Sequence, residues 1–498
     1  MCSAVRRGFL QGERRHGENL DARMVARRNR DLVPSAPPAV WFQGQVQTAL
    51  RRRGGPLLLV RGEGCRVWDD RARSYLDARS GLWTVTVGYG RREVVDAVDE
   101  QLRRLAFAPL TDAASPTALA LADRLRPLLP GDLRTLALVP TGSEAVDTAF
   151  KLSRLYHSAG HRRRGIIISR EYSAHGSTYA GSSLSDPARG LLRGIGPRIA
   201  GIRFVPAPYR YRCRYCARGP ACTLECVAAV EAAIDAAGSD AVAAVFAEPV
   251  PGPGGVLTPP PEYWPSLRAL CDRCGVLLVA DEVVTGFGRT GRWFACDHWS
   301  VVPDLMILGK GMTGGYQTLG AVAMRGHIAN RLAPRVVPHG FTYSGHPAAC
   351  AAALACLEIL ERDSLVARAA TMGAFLLQGL RTSLAGCPIV GEIRGLGLMA
   401  AVELVKDPAT RAPLRLRRRD LDGLERDLRA RGVLAFVDNP VMLAPPLIIS
   451  EEDVAVLVDA TAEAIRALAV RLGGGRTRTP RPRNAGDEDR SQNSPCAP

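Results

Sequence analysis

Between residues 116 and 345, short apolar runs alternate with longer amphipathic stretches, and this rhythm constrains the fold more than any other property of the chain. The runs Leu136-Ala137-Leu138-Val139, Gly165-Ile166-Ile167-Ile168, Ala241 to Ala247, Val276 to Ala280 and Leu305 to Leu308 read as strands. The segments Ser143 to Tyr156, Leu224 to Ala237 and Glu262 to Cys274 read as the helices between them. Strands and helices in alternation predict an α/β domain with a largely parallel sheet. After His346 the character changes: Ala348 to Leu360 and Leu365 to Leu384 suit helices, and Gly391 to Glu403 suits a strand region. A smaller α+β domain is expected there, joined by residues 38–79, where Gly-rich turns separate short strands. The expected divisions are a basic arm over residues 1–36, a segment over 37–79 joining the small domain, a large domain over 80–345, the small domain over 346–470 and a basic tail over 471–498.

The net charge of +16 raises the question of a nucleic-acid partner, and its distribution answers it. Residues 1–53 and 471–498 together supply +10, leaving +6 for residues 54–470 between them. Segments such as Arg476-Thr477-Arg478-Thr479-Pro480-Arg481 lack apolar periodicity and read as solvated tails rather than a nucleic-acid surface. No apolar stretch is long enough to span a bilayer, and the N-terminus lacks the pattern of a secretory signal, so a cytoplasmic protein is the expectation.

Of the 65 basic side chains only three are lysines, and one of them, Lys310, follows the apolar run Leu305-Met306-Ile307-Leu308 in a Gly-Lys-Gly. An amine with a depressed pKa can form a Schiff base; a guanidinium cannot. Twenty-nine residues earlier, the strand Val276 to Ala280 ends in Asp281, and carboxylates at such strand ends point into the ligand crevice of α/β proteins. A lysine amine and an aspartate that keeps a pyridine nitrogen protonated are the two groups pyridoxal phosphate requires. Asp281 alone could equally cap a helix. A third element, Pro140-Thr141-Gly142-Ser143-Glu144, lies between a strand and a helix, where the amides of Gly142 and Ser143 would hold a phosphate dianion. Ser143 could instead be a plain N-cap.

Thirteen scattered cysteines do not read as an extracellular disulfide framework. The spacing Cys213-x2-Cys216-x5-Cys222-x3-Cys226 leaves a four-sulfur zinc site open beside ordinary reduced thiols, the expectation otherwise being no metal.

Long motifs join these residues. They are Gly142-Ser143-Glu144-Ala145-Val146-Asp147-Thr148-Ala149-Phe150-Lys151, Ala247-Glu248-Pro249-Val250-Pro251-Gly252, Asp281-Glu282-Val283-Val284-Thr285-Gly286-Phe287-Gly288-Arg289-Thr290-Gly291, Leu308-Gly309-Lys310-Gly311 and Gly340-Phe341-Thr342-Tyr343-Ser344-Gly345-His346-Pro347. Over roughly residues 40–465 the chain resembles the class III (ω-amino-acid type) pyridoxal-phosphate aminotransferases. The resemblance implies a fold-type I transferase, acting as a homodimer with shared active sites. It implies that Lys310 is the aldimine lysine and proton carrier, and that Asp281 pairs with the pyridinium nitrogen. By the same resemblance Val283 packs on the ring, and Gly142 and Ser143 bind phosphate. Thr342 would reach the phosphate of the neighbouring subunit, and His175 and Glu248 would lie at the cofactor.

Departures from the family pattern concern substrate. The family's ring-stacking aromatic is replaced by Ala174 in Glu171-Tyr172-Ser173-Ala174-His175-Gly176, so either Tyr172 substitutes or the ring face is open. Met442 stands two residues before Ala444-Pro445-Pro446, where relatives that grip an α-carboxylate often carry arginine. Ser80-Gly81-Leu82-Trp83 resembles the pocket segment of amine transaminases, with Trp83 lining the pocket or simply filling core. Arg394 is expected in a structural salt bridge.

The implied activity is ping-pong transfer of an amino group from a primary amine or ω-amino acid to a 2-oxo acid such as pyruvate. A racemase, aminomutase or decarboxylase of the same family is the alternative, and a non-catalytic module binding nucleic acid or another acidic partner is the alternative of another class.

Overall fold

The computed structural model describes residues 40–52, 55–160, 164–216 and 221–473. The arm expected over 1–36 and residues 474–498 of the expected tail lie outside them.

A short helix, Gln47–Arg52, precedes three strands, β1 (Leu59–Glu63), β2 (Arg66–Asp69) and β3 (Ser74–Asp77), paired antiparallel in sequence order. The central sheet follows, from β4 (Leu133–Val139), β5 (Ile166–Arg170), β6 (Ile202–Val205), β7 (Val242–Ala247), β8 (Leu277–Asp281), β9 (Leu305–Leu308) and β10 (Gly320–Arg325). Its order is β4-β10-β9-β8-β7-β5-β6, parallel except for β10, which runs antiparallel to both neighbours. The apolar-run reading found β4, β5, β7, β8 and β9 and missed the parallel β6 and the antiparallel β10. The principal helices are α1 (Arg92–Arg104), α2 (Pro116–Leu125), α3 (Gly142–Ala159), α4 (Glu225–Ala237), α5 (Tyr263–Cys274), α6 (Pro347–Arg362), α7 (Leu365–Ser383), α8 (Arg418–Ala430) and α9 (Glu451–Gly473). Residues 471–473, read from sequence as the start of a tail, complete α9.

Both faces of the central sheet are covered, and the side chains show why the strands read as unbroken apolar runs. Leu278, Ala280, Met306 and Leu308 enter the core on one face, while Leu277, Val279, Leu305 and Ile307 enter that on the other. Successive strand residues point to opposite faces, so a sheet sandwiched by helices needs apolar residues at every position.

A third sheet combines β11 (Val390–Gly395), β12 (Ala400–Asp407), β13 (Ala412–Pro413) and β15 (Val441–Leu443). The helix α7 packs on β11 and β12, and α9 packs on α7 and α8. Between them β14 (Val433–Leu434) pairs in parallel with β3, tying the C-terminal region to the N-terminal strands. Arg394 on β11 contacts Glu392 at 2.6 Å and Glu403 at 2.5 Å, the salt bridge expected of it.

This topology sets the position of the site. The strands β4, β5, β7, β8 and β9 run in one direction, so their C-terminal ends line a single edge of the sheet. From that edge emerge the Gly142 turn, the 171–176 segment, Glu248, Asp281 and Lys310.

Candidate active site

Asp281 ends β8 and is 5% exposed; its Oδ1 accepts the Val283 N–H at 3.1 Å, which turns the following segment back across the strand end. Its other oxygen, Oδ2, lies 2.7 Å from His175 Nδ1. His175 is held in turn by its own N–H, which donates to Ser185 Oγ at 2.9 Å. On the far side of the imidazole, Nε2 is buried without a hydrogen bond, 3.5 Å from Glu248 Oε2. Glu248 follows β7, and its Oε1 accepts the Ala174 N–H at 2.8 Å.

The charges in this group are mutually adjusted. Burial alone would lower the basicity of His175, but the facing Glu248 and Asp281 carboxylates outweigh it and raise its pKa. Burial alone would likewise raise Glu248, yet His175 and Arg170 hold its carboxyl below the ordinary value. Lys310 follows β9 after Gly309, partly buried as a residue and with a backbone φ of 38°. Burial of its amine draws the pKa down to about 8, with Asp281 and Glu248 pulling partly back. At neutral pH a usable fraction of that amine is therefore nucleophilic.

The phosphate loop lies beside these groups. The side chain that caps α3 is Thr141, whose Oγ1 accepts the Glu144 N–H at 3.3 Å. The N-cap alternative for Ser143 is thereby corrected: Ser143 is a first-turn residue, and its Oγ accepts the Ser177 N–H at 3.2 Å. The N-terminus of an 18-residue helix thus faces the strand edge. A methyl added at Gly142 would stand 2.9 Å from Val283 Cγ1, and one added at Gly176, whose φ is +94°, would stand 2.3 Å from Ser143 Oγ. Backbone approaches of this kind leave room for a ligand and none for side chains.

The arrangement fits pyridoxal phosphate by its donor set. It offers a depressed-pKa amine, a carboxylate backed by a buried imidazole, and a glycine-lined helix N-terminus. Gly142, Ser143, His175, Glu248, Asp281, Val283 and Lys310 are brought together; Thr342 stands apart, exposed in the loop before α6.

An apolar wall adjoins the strand ends. Trp83, buried to 3% exposure, stacks on Phe436 with centroids 4.8 Å apart and packs among Val250, Met399 and Met442. Thr86 Oγ1 donates to Gly311 O at 3.1 Å, docking the Trp83 segment on the loop that carries Lys310. Tyr172 packs edge-on against Tyr209 at 5.4 Å, and both line a cleft of about 650 Å³ with Arg212, Glu403 and Met442. Arg170 and Glu403 on strands, and Arg212 at the end of the turn Arg210–Arg212, escaped the sequence reading, because a charged residue gives no sign in sequence of how far the fold will cover it.

Among the described residues, no group of three or more His, Cys, Asp or Glu is placed to hold a metal ion. Of the cysteines in the zinc alternative, Cys216 and Cys222 face each other at 3.7 Å, and Cys213 lies partly buried beside Cys216. Cys226 packs into the apolar core on α4, where burial, with Cys222 and Cys213 nearby, pushes its thiol up to about 12.

The chain matches the family profile Aminotransferase class-III over residues 49–465. It is 36% identical over 423 residues to the putrescine–pyruvate aminotransferase of Pseudomonas aeruginosa, covering 83% of this chain and 92% of the relative. The fold superposes on an (S)-enantioselective omega-transaminase from Thermomicrobium roseum with a TM-score of 0.82 and 41% identity, covering 90% of this chain and 99% of the other. It superposes equally on a PLP-bound amine transaminase from an uncultivated Pseudomonas species, with a TM-score of 0.83 and 37% identity over 87% and 99% of the two chains. With lysine, aspartate and phosphate loop gathered on one sheet edge, the chain belongs to the class III aminotransferases, pyridoxal-phosphate enzymes of fold type I.

Proposed function

We propose that the enzyme moves an amino group from a primary amine or ω-amino acid to a 2-oxo acid, with pyruvate the preferred acceptor. The observation that carries this reading is the Lys310 amine, drawn to a pKa of about 8 beside Asp281 and Glu248 at the sheet edge. Bound pyridoxal phosphate supplies an aldehyde carbon to which amines add and a protonated ring that draws electrons from the carbon being deprotonated. Lys310 Nζ would carry the proton from the donor carbon to the coenzyme carbon, a task that needs an amine basic near neutral pH. Asp281, oriented through His175, holds the proton on the ring nitrogen. The amides of Gly142 and Ser143 bind the phosphate, and Val283 packs against the ring. Thr342, exposed in the single chain, contributes to the site of a second copy in a homodimer.

The choice of substrate rests on the wall opposite. Trp83, Phe436 and Met442 present apolar surface where an arginine would grip an α-carboxylate. That favours a donor without an α-carboxylate, in keeping with the putrescine–pyruvate relative. Eleven described cysteines are unpaired, which supports a cytoplasmic location. No helix among the described residues is long and apolar enough to cross a membrane. A panel of primary amines with pyruvate or 2-oxoglutarate, using Lys310→Ala as blank, tests the reading. Amine-dependent alanine formation that the blank lacks supports it; inversion of an amino acid or release of carbon dioxide without amino transfer overturns it.

A further inference from the structure

Arg170 is the last residue of β5 and has no exposed surface. Its Nη2 donates to the main-chain oxygen of Glu248 at 2.5 Å and lies 3.4 Å from Glu248 Oε2. Nη1 lies 3.4 Å from the Tyr263 hydroxyl, and the guanidinium sits 5.8 Å from the centroid of that ring. A guanidinium does not deprotonate in a protein, so this is a fixed positive charge, and burying one is costly unless it is paired. Glu248 is the pairing group, and the file continues: Glu248 Oε2 to His175 Nε2 at 3.5 Å, then His175 Nδ1 to Asp281 Oδ2 at 2.7 Å. Positive and negative groups alternate from the interior of the sheet to the carboxylate at its edge.

The other titratable groups facing this file are few. Lys310 faces Asp281 and Glu248 from the loop after β9, and Tyr263 on α5 faces Arg170, with Cys226 and Cys271 behind it. Glu248 is thus held between one fixed cation and two groups that titrate, His175 and Lys310. Without Arg170, its carboxylate would act on those two alone.

We propose that Arg170 is a positioning residue which, through Glu248, sets the proton balance of the His175–Asp281 pair and thereby the proton affinity of the bound coenzyme. This rests on the reading of Asp281 as the partner of the coenzyme ring. Removing the fixed positive charge makes every neighbouring group hold its proton more tightly, and removing the Glu248 charge does the reverse.

The test is a pH titration of the visible absorption of the purified holoenzyme. Arg170→Met should raise the midpoint by about one pH unit, a tenfold change in proton affinity. Glu248→Gln should lower it, and the double variant should return towards the wild-type value. Arg170→Lys, which keeps the charge, should stay near wild type. Folded Arg170→Met and double variants that both keep the wild-type midpoint would overturn the proposal, since a merely structural arginine changes stability and not the titration. If Arg170→Met does not fold, Arg170→Lys and Glu248→Gln decide: a wild-type midpoint in Glu248→Gln overturns it. Asp281→Asn separates the two claims. An unchanged spectrum there sinks the assignment of Asp281 itself, whereas an altered spectrum with unresponsive Arg170 and Glu248 variants sinks only the role of Arg170.

Discussion

His175 Nδ1 and Asp281 Oδ2 lie 2.7 Å apart, both side chains buried at the sheet edge. The imidazole bridges two carboxylates that arrive from different strands, so it orients Asp281 and balances its charge together. Replacing His175 with Ala removes one charge-assisted hydrogen bond, a loss of about 1.5–3 kcal/mol. We expect kcat/KM to fall about 10- to 100-fold, with a shifted coenzyme absorption band. His175→Ala with wild-type kinetics and spectrum would show that Asp281 acts unaided.

The depressed pKa of Lys310 has a direction that can be checked. Below about 8 the amine is protonated and cannot add to an aldehyde; above it the amine is free. The rate at which apoenzyme takes up pyridoxal phosphate should therefore rise with pH, with a midpoint near 8. An unshifted lysine would put that midpoint near ~10.4. Stopped-flow absorbance across this range distinguishes the two.

Gly142 is a steric requirement in the turn proposed to hold the phosphate. A methyl there stands 2.9 Å from Val283 Cγ1, so Gly142→Ala must displace either the loop or Val283. Coenzyme affinity should fall by about tenfold or more, the ~1–3 kcal/mol of an overpacked site, while the apoenzyme still folds. Equilibrium binding followed by absorbance, with circular dichroism as the folding check, measures both.

Specificity should respond at Met442. Met442→Arg introduces a cation on the wall shared with Trp83 and Phe436, and it should raise kcat/KM for a donor that carries an α-carboxylate relative to a primary amine without one. A change of about tenfold or more is expected for a charge-assisted contact. An unaltered donor ratio in a folded variant would place the donor elsewhere.

Arg394 carries a stability prediction. Its replacement by Met removes the Arg394 contacts to Glu403 at 2.5 Å and Glu392 at 2.6 Å, leaving Glu403 to Arg212 and Tyr209. Breaking a buried pair outright costs about 3–5 kcal/mol; with Arg212 still pairing Glu403 the loss should fall below that range, and urea unfolding would register it as a lower midpoint.

What the sequence disclosed follows from where the information is local. The strands β8 and β9 were legible because both faces of the sheet are covered, making each an apolar run ended by the functional residue. The antiparallel β10 was missed: nothing in Gly320–Arg325 announces that it inserts between β4 and β9, which is a property of the tertiary pairing. Ser143 was ambiguous until Thr141 proved to be the cap. Arg170 could not be read at all, because a strand-end arginine looks the same in sequence whether it meets solvent or a buried glutamate. The cysteine spacing left a metal site open beside ordinary thiols, because four cysteines at those intervals read alike whether they ligate or, like Cys226, pack in the core.

The central claim is an amino group carried by the enzyme between two separate reactions, and a single-turnover measurement tests it most directly. Holoenzyme mixed with an amine donor alone should lose its visible absorption and release one equivalent of carbonyl product per site. Added pyruvate should then restore the absorption and yield one equivalent of alanine, and Lys310→Ala should do neither. Donor turnover that releases no carbonyl product, leaves the absorption unchanged and needs no acceptor would contradict the account.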